Sequence, residues 1–194
     1  MRHRAFIALA CTALAVPAAA QQNEPAAPEV MQRVAPALAD YTDRVLFGDV
    51  WQRPALSARN RSLVTISALI ATGKADQLDT HFALALDNGL TPAEIGGAIT
   101  HLAFYSGWPN AVEAVRVADS VFAARDIPAS AMQSLDPELL PKPENDDQRA
   151  QRVESNVGPV SPSLAQLTND VLFDDLWLRP DLAPRDRSLV TIAA

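Results

Sequence analysis

Residues 75–106 read ADQLDTHFALALDNGLTPAEIGGAITHLAFYS, and the punctuation inside that stretch decides the fold class. Thr91 stands as an N-cap, Pro92 follows in the first turn, and Glu94 completes a capping box three residues after the cap. Gly89 supplies the stop for the run before it. The spacing therefore predicts two helices, 75–88 and 91–106, folded into an antiparallel hairpin by a tight turn. The same signals recur outward. Ser57 caps a helix over 58–72 that ends at Gly73, and Gly107-Trp108-Pro109 breaks the chain before a last helix over 110–125. Residues 37–48, after Pro36, form an amphipathic helix, and Trp51 to Pro54 a turn. No window alternates with period two, so the expected class is all-α, a helical bundle around a central hairpin.

Composition narrows the function. The 194 residues are 48% apolar but only 6% aromatic, so the core is expected to be aliphatic and alanine-rich. The formal charge is −7, with no basic excess to attract a phosphate backbone. No GxGxxG, GxxxxGK[ST] or CxxC occurs, which excludes dinucleotide, P-loop and zinc-ribbon readings. Arg2, His3 and Arg4 precede an apolar run over 5–16, and Ala18-Ala19-Ala20 has the small-residue pattern of a cleavage site, so residues 1–20 read as a signal peptide. A periplasmic or secreted location follows as an expectation, with no membrane anchor after cleavage. Removal of that segment takes away Cys11, the one cysteine, and leaves a charge of 14 − 23 = −9.

The chain also repeats itself. Residues 46–68 and 172–194 match at a constant offset of 126, with fifteen of 23 positions identical. Trp51, Arg53, Pro54, Arg59 and Arg61 recur as Trp177, Arg179, Pro180, Arg185 and Arg187. Upstream, Val34, Pro36, Leu38, Ala39, Thr42 and Val45 recur as Val160, Pro162, Leu164, Ala165, Thr168 and Val171. The expected organisation is a domain over 34–125, a proline-rich and acidic linker over 126–158 with a short helix near 147–155, and a second copy over 159–194 that stops short. Helices over 163–174 and 184–194 are expected there. Their apolar residues, among them Leu164, Leu167, Val171, Leu189 and Ile192, need a surface to dock on.

Beyond the signal segment the chain holds two histidines, His81 and His101, one on each arm of the hairpin. Nine residues before Leu90 and eleven after it, they stand at similar heights. Either is a candidate general acid or base, because imidazole titrates near neutrality; the plainer reading is a hydrogen-bonded histidine in a helical bundle. No third ligand at helical spacing joins them, so no metal site is expected. Arg59 and Arg61 put two cations at the positive end of a helix dipole, which favours a pairing role such as holding a carboxylate. Tyr105 and Trp108 share a helical face with His101 and are aromatic candidates for a pocket wall, or for core.

Arg59-x-Arg61-Ser-Leu-Val-Thr, His81-Phe-Ala-Leu-Ala-Leu-Asp-Asn88-Gly89-Leu-Thr-Pro-x-Glu94-Ile and His101-Leu-Ala-Phe-Tyr105-Ser-Gly107-Trp-Pro109 occur in that order. Together they resemble the carboxymuconolactone decarboxylase family, over about 35–125 and again from 160. The resemblance implies an all-α fold of the alkylhydroperoxidase D type, assembly into trimers or hexamers, and a site on the hairpin near subunit contacts. It also implies two chemistries. The peroxidase branch carries Cys-x-x-Cys-x-x-x-His; here Lys74 and Gln77 stand at the cysteine positions, Ser62 at a glutamate position, and the histidine is His81. The lyase branch is cofactor-free and keeps that histidine. Many relatives have a glutamate where Gly97 stands, and the Gly96-Gly97 pair in a helix interior suggests close approach by a ligand or a neighbouring helix.

The leading expectation is thus a cofactor-free, carboxymuconolactone decarboxylase-like lyase acting on a small carboxylated or lactone substrate. His81 moves the proton, His101 and Tyr105 line the pocket, and Arg59 or Arg61 holds a carboxylate. The alternatives are a peroxidase-type antioxidant, which the missing thiolates disfavour, and a non-catalytic ligand-binding or assembly module.

Overall fold

The computed structural model describes residues 25–194, so the signal-peptide reading of residues 1–20 lies outside the described residues. The chain divides into two compact units, one ending at Arg53 and the other starting at Pro54. Among the described residues there is no strand, and no helix is long and apolar enough to cross a membrane.

The first unit contains α1 (Glu29–Val34) and α2 (Pro36–Asp40), which runs on as a wider π-helical turn over Tyr41–Phe47 before a 3-10 turn at Val50–Gln52. The predicted helix over 37–48 is therefore helical but changes pitch part-way. Asp43 accepts a hydrogen bond from the Ala27 backbone at 2.8 Å and closes the unit's amino-terminal turn onto it.

The second unit holds the two predicted helices in succession, joined by a tight turn, but each packs on the helices flanking the pair rather than along the other. Its α3 (Ala58–Ala71) starts where Ser57 Oγ accepts from the Asn60 N–H, and ends at Gly73, whose φ of +66° is the left-handed stop the sequence called for. α4 (Ala75–Asp87) ends at Gly89, with φ +94°. α5 (Pro92–Ser106) opens with the complete Thr91–Glu94 capping box, and α6 (Trp108–Ala124) follows directly after Gly107. α3 packs on α4 and α5, and α6 packs on α4 and α5. Between them lies a core of Leu63, Ile66, Ile70, Leu78, Phe82, Ile95, Ala98, Leu102 and Ala114, all essentially inaccessible to water.

The segment after α6 is tied down rather than slack. Ile127 and Met132 pack on the core, the Leu140 N–H donates to the Leu178 carbonyl at 2.7 Å, and α7 (Asp146–Val157) packs on α8 (Pro162–Leu167). A π-helical turn over Thr168–Phe173, a 3-10 turn at Leu176–Leu178 and α9 (Pro184–Ala193) complete the unit. The order of α-helix, π turn, 3-10 turn and α-helix is that of residues 36–71, so the sequence repeat is also a repeat of local structure.

The later segment does dock: α9 lies against α3 and α5. Leu182 and Val190 join the core at this seam and Arg187 meets His101; Leu176 and Leu178 are buried as well, whereas Leu164, Leu167 and Ile192 stay exposed. Ile192 differs from its counterpart Ile66, which is sealed in the core. The seam also explains one of the paired glycines. A Cβ on Gly97 would run into the Asp181 carboxylate and come within 3.2 Å of Leu182 Cβ. Gly97→Ala should therefore push the 181–182 loop off α5 and destabilise the protein by about 1–3 kcal/mol. Hydrogen exchange should show α9 losing protection first; an unchanged melting temperature would refute the close approach.

Candidate active site

His101 is fully buried on the inner face of α5. Its ring stacks on Tyr105 one turn later, with centroids 4.7 Å apart, and meets Trp177 edge-on at 5.1 Å. Trp177 Nε1–H in turn donates to the Tyr105 hydroxyl at 2.9 Å. His101 Nε2 lies 2.8 Å from Thr191 Oγ1, and that hydroxyl donates its own proton to the Arg187 carbonyl at 2.8 Å. Thr191 can then only accept, so the network assigns the imidazole proton to Nε2. Nδ1 is left as an acceptor facing Arg187 Nη1 at 3.5 Å. Burial pushes the pKa of His101 down to about 4, and the Arg187 charge acts in the same direction.

Arg187 itself has no exposed surface. Its Nη2 donates to the Arg179 carbonyl at 2.8 Å and reaches Asp181 Oδ2 at 3.4 Å, while Arg179 Nε approaches the other carboxylate oxygen at 3.4 Å. Burial pulls the guanidinium below its ordinary pKa and the Asp181 charge opposes that pull. Asp181 thus sits between two guanidiniums, in the space that Gly97 leaves open.

Arg59 is committed elsewhere. One nitrogen pairs with Asp186 at 2.9 Å and another with Glu94, whose second oxygen closes the Thr91 cap at 2.7 Å. One guanidinium therefore joins the starts of α3, α5 and α9. Arg61 is half-buried one turn into α3, beside Ser62, whose hydroxyl accepts from Asn88 Nδ2 at 2.9 Å. That bond turns one stripe of α4, His81, Ala85 and Asn88, toward α3. His81 is half-buried there, no described residue hydrogen-bonds its ring, and burial holds its pKa below the ordinary value. Trp108 is 58% exposed at the start of α6 and leans on Phe104 at 5.0 Å.

The structure thus brings together His101 and Tyr105 but not His81 and His101, which share neither a hydrogen bond nor a ring contact. The helices explain this, because α4 packs on α3 and α6, whereas His101 lies where α5 also meets α9 and bonds to Thr191 there. Sequence reasoning missed the four residues that surround His101: Trp177, Asp181, Arg187 and Thr191. A signal existed for three of them, since Trp177, Arg187 and Thr191 are the repeat counterparts of Trp51, Arg61 and Thr65. Among the described residues no group of three or more His, Cys, Asp or Glu side chains is arranged to hold a metal ion.

Fold and site define an all-helical protein with one buried histidine on α5, bonded at both nitrogens, and one half-buried histidine on α4 with no hydrogen-bond partner among the described residues. Residues 36–120 match the model of the carboxymuconolactone decarboxylase family, and the chain belongs to that family. It is 39% identical over 83 residues to a 4-carboxymuconolactone decarboxylase of Acinetobacter baylyi, covering 43% of this chain and 62% of that protein. It is 41% identical over 71 residues to a nitrosuccinic acid decarboxylase of Metarhizium robertsii, covering 37% and 50%. An uncharacterized 15.0 kDa protein of Paracoccus denitrificans is 31% identical over 98 residues, covering 50% and 73%. The match therefore spans less than two thirds of either decarboxylase.

The geometry of His101 has a consequence for acid stability. The unfolded chain takes up a proton at this residue near pH 6.5, and the folded one near 4. Between those values the unfolded state binds more protons, so stability falls as pH falls from about 6.5 toward 4. The loss amounts to about 3 kcal/mol from this group. His101→Gln should flatten the pH dependence of chemical denaturation across that window. A slope identical to wild type would show that His101 titrates normally.

Proposed function

We propose that the protein is a cofactor-free lyase that decarboxylates a small substrate bearing carboxylate or lactone groups, with His81 as the proton carrier. The observation that supports this most is the state of His81: half-buried, without a hydrogen-bond partner among the described residues, and with its pKa lowered by burial. It lies inside the region matched to the family, on one of the two helices where the resemblance puts the site. The names of the two decarboxylases support the substrate class, since both act on carboxylic acids.

When a carboxylate leaves as CO2, its bonding electrons stay on carbon and a proton must replace it. A neutral imidazole relays such a proton by taking it from an acidic position or from water and returning it to that carbon. Arg61 holds a remaining carboxylate in this reading, through the paired guanidinium–carboxylate bonds that arginine makes. His101, with both nitrogens bonded, holds α9 in place and exchanges no proton. Export through the amino-terminal segment and assembly into trimers or hexamers belong to the same proposal. A thiol peroxidase finds no support, since positions 74 and 77 hold lysine and glutamine.

The test follows CO2 release from 4-carboxymuconolactone and from nitrosuccinic acid. Wild type should turn over at least one of them. His81→Ala should lower kcat by about 10²–10⁴-fold with little change in melting temperature. Because burial lowers the pKa of His81, the acid limb of kcat/KM should lie below pH 6.5. Equal rates for wild type and variant would remove His81 from the mechanism, and absence of CO2 release from either compound would overturn the substrate class.

A further inference from the structure

A cavity of about 260 Å³ is lined entirely by residues beyond 120, where the family match ends. Phe173 and Trp177, whose rings stack with centroids 5.9 Å apart, belong to its wall, and so do Pro141, Pro143 and Pro184. The volume is a little below that of drug-sized sites, which begin at about 300 Å³, and suits a molecule of one or two rings. Aromatic and prolyl side chains offer flat apolar faces for such a ring to lie against.

Three charged residues line the same cavity: Asp146, Arg149 and Arg152. Two of them cancel. Arg149 donates from Nε and Nη2 to the two oxygens of Asp146, at 2.7 and 3.2 Å, and from Nη1 to Asn169 Oδ1 at 2.8 Å. Its guanidinium lies 4.0 Å over the Phe173 ring. The bonds from Arg149 hold the Asp146 carboxyl below the usual carboxylate range, so the pair stays ionised and neutral as a unit. Arg152 stands one turn further along α7, on the face that carries Arg149. Its guanidinium makes no ion pair or hydrogen bond among the described residues. It is exposed, so the charged end of a ligand reaches it directly from solvent. In a chain of 23 acids and 16 bases, an unpaired cation thus borders an apolar, aromatic cavity. One guanidinium balances one negative charge, and its planar fork matches a carboxylate. A second negative charge would find only Asp146 and its spent partner.

We infer that this cavity binds a small aromatic monocarboxylate, with its ring against Phe173, Trp177 and the prolines and its carboxylate on Arg152. The site shares no residue with the one proposed for catalysis, so it stands or falls independently of the lyase reading.

Two probes separate the charge contact from apolar adhesion: 2-naphthoate, and 2-naphthamide, which has nearly the same size and shape but no charge. Calorimetric titration of the full chain should show saturable binding of 2-naphthoate, about fivefold tighter than the amide. The indole N–H resonance of Trp177, identified by its loss in Trp177→Phe, should shift as 2-naphthoate is added, because that ring is part of the wall. Arg152→Gln removes the charge from an exposed, unbonded position and should leave the melting temperature unchanged. It should weaken 2-naphthoate by about fivefold and alter the amide by less than about twofold. Absence of saturable binding, equal affinity for the two probes, a Trp177 resonance that stays in place, or full affinity for 2-naphthoate in Arg152→Gln would each overturn the inference.

Discussion

A guanidinium with no exposed surface is the constraint around which the second unit is arranged. A lone buried cation is among the most expensive groups a protein can hold, so Arg187 dictates its surroundings. Asp181 must come close enough to pair with it, and the Arg179 carbonyl must accept from it at 2.8 Å. For Asp181 to reach that position, α5 must carry no side chain at Gly97. His101 must stay neutral with Nδ1 toward the arginine, which in turn sets its proton on Nε2 and requires the Thr191 hydroxyl as acceptor. Each member makes sense only with the others, and together they hold α9 against α3 and α5.

The same arrangement separates the roles of the two histidines. Their residue type is alike, and their helices follow one another across a tight turn, but their neighbours differ. His101 is enclosed by groups from three elements, and its imidazole serves as a bonding block between them. His81 lies on the α4 stripe that faces α3, no described residue hydrogen-bonds its ring, and partial burial lowers its pKa. A titratable group poised for proton transfer needs an available nitrogen as well as a suitable pKa, and His81 meets both conditions.

The Arg59 cluster shows how local capping becomes tertiary fastening. Glu94 is placed by the capping box, a feature of four consecutive residues. Its free oxygen then meets Arg59, which also binds Asp186 of α9. A single carboxylate thus ends one helix's unpaired N–H groups and anchors two others. The segment between α6 and α7 works similarly: its proline-rich composition reads as a spacer, yet it contributes Leu140, Pro141 and Pro143 to a cavity wall.

The amino-acid sequence alone determined the helices and their ends, because caps, left-handed glycines and the 3.6-residue period act within a few residues of one another. Ser57, Gly73, Gly89, Thr91, Glu94 and Gly107 each do in the structure what their local chemistry predicts. It also showed the repeat, and with it the recurrence of Trp177 and Arg187. How His101 is bonded, what Arg59 pairs with, and why Gly97 has no side chain were decided only by tertiary structure. Those facts depend on groups such as His101 and Arg187, 86 residues apart, whose meeting is governed by how helix faces pack, and no local pattern along the chain encodes that.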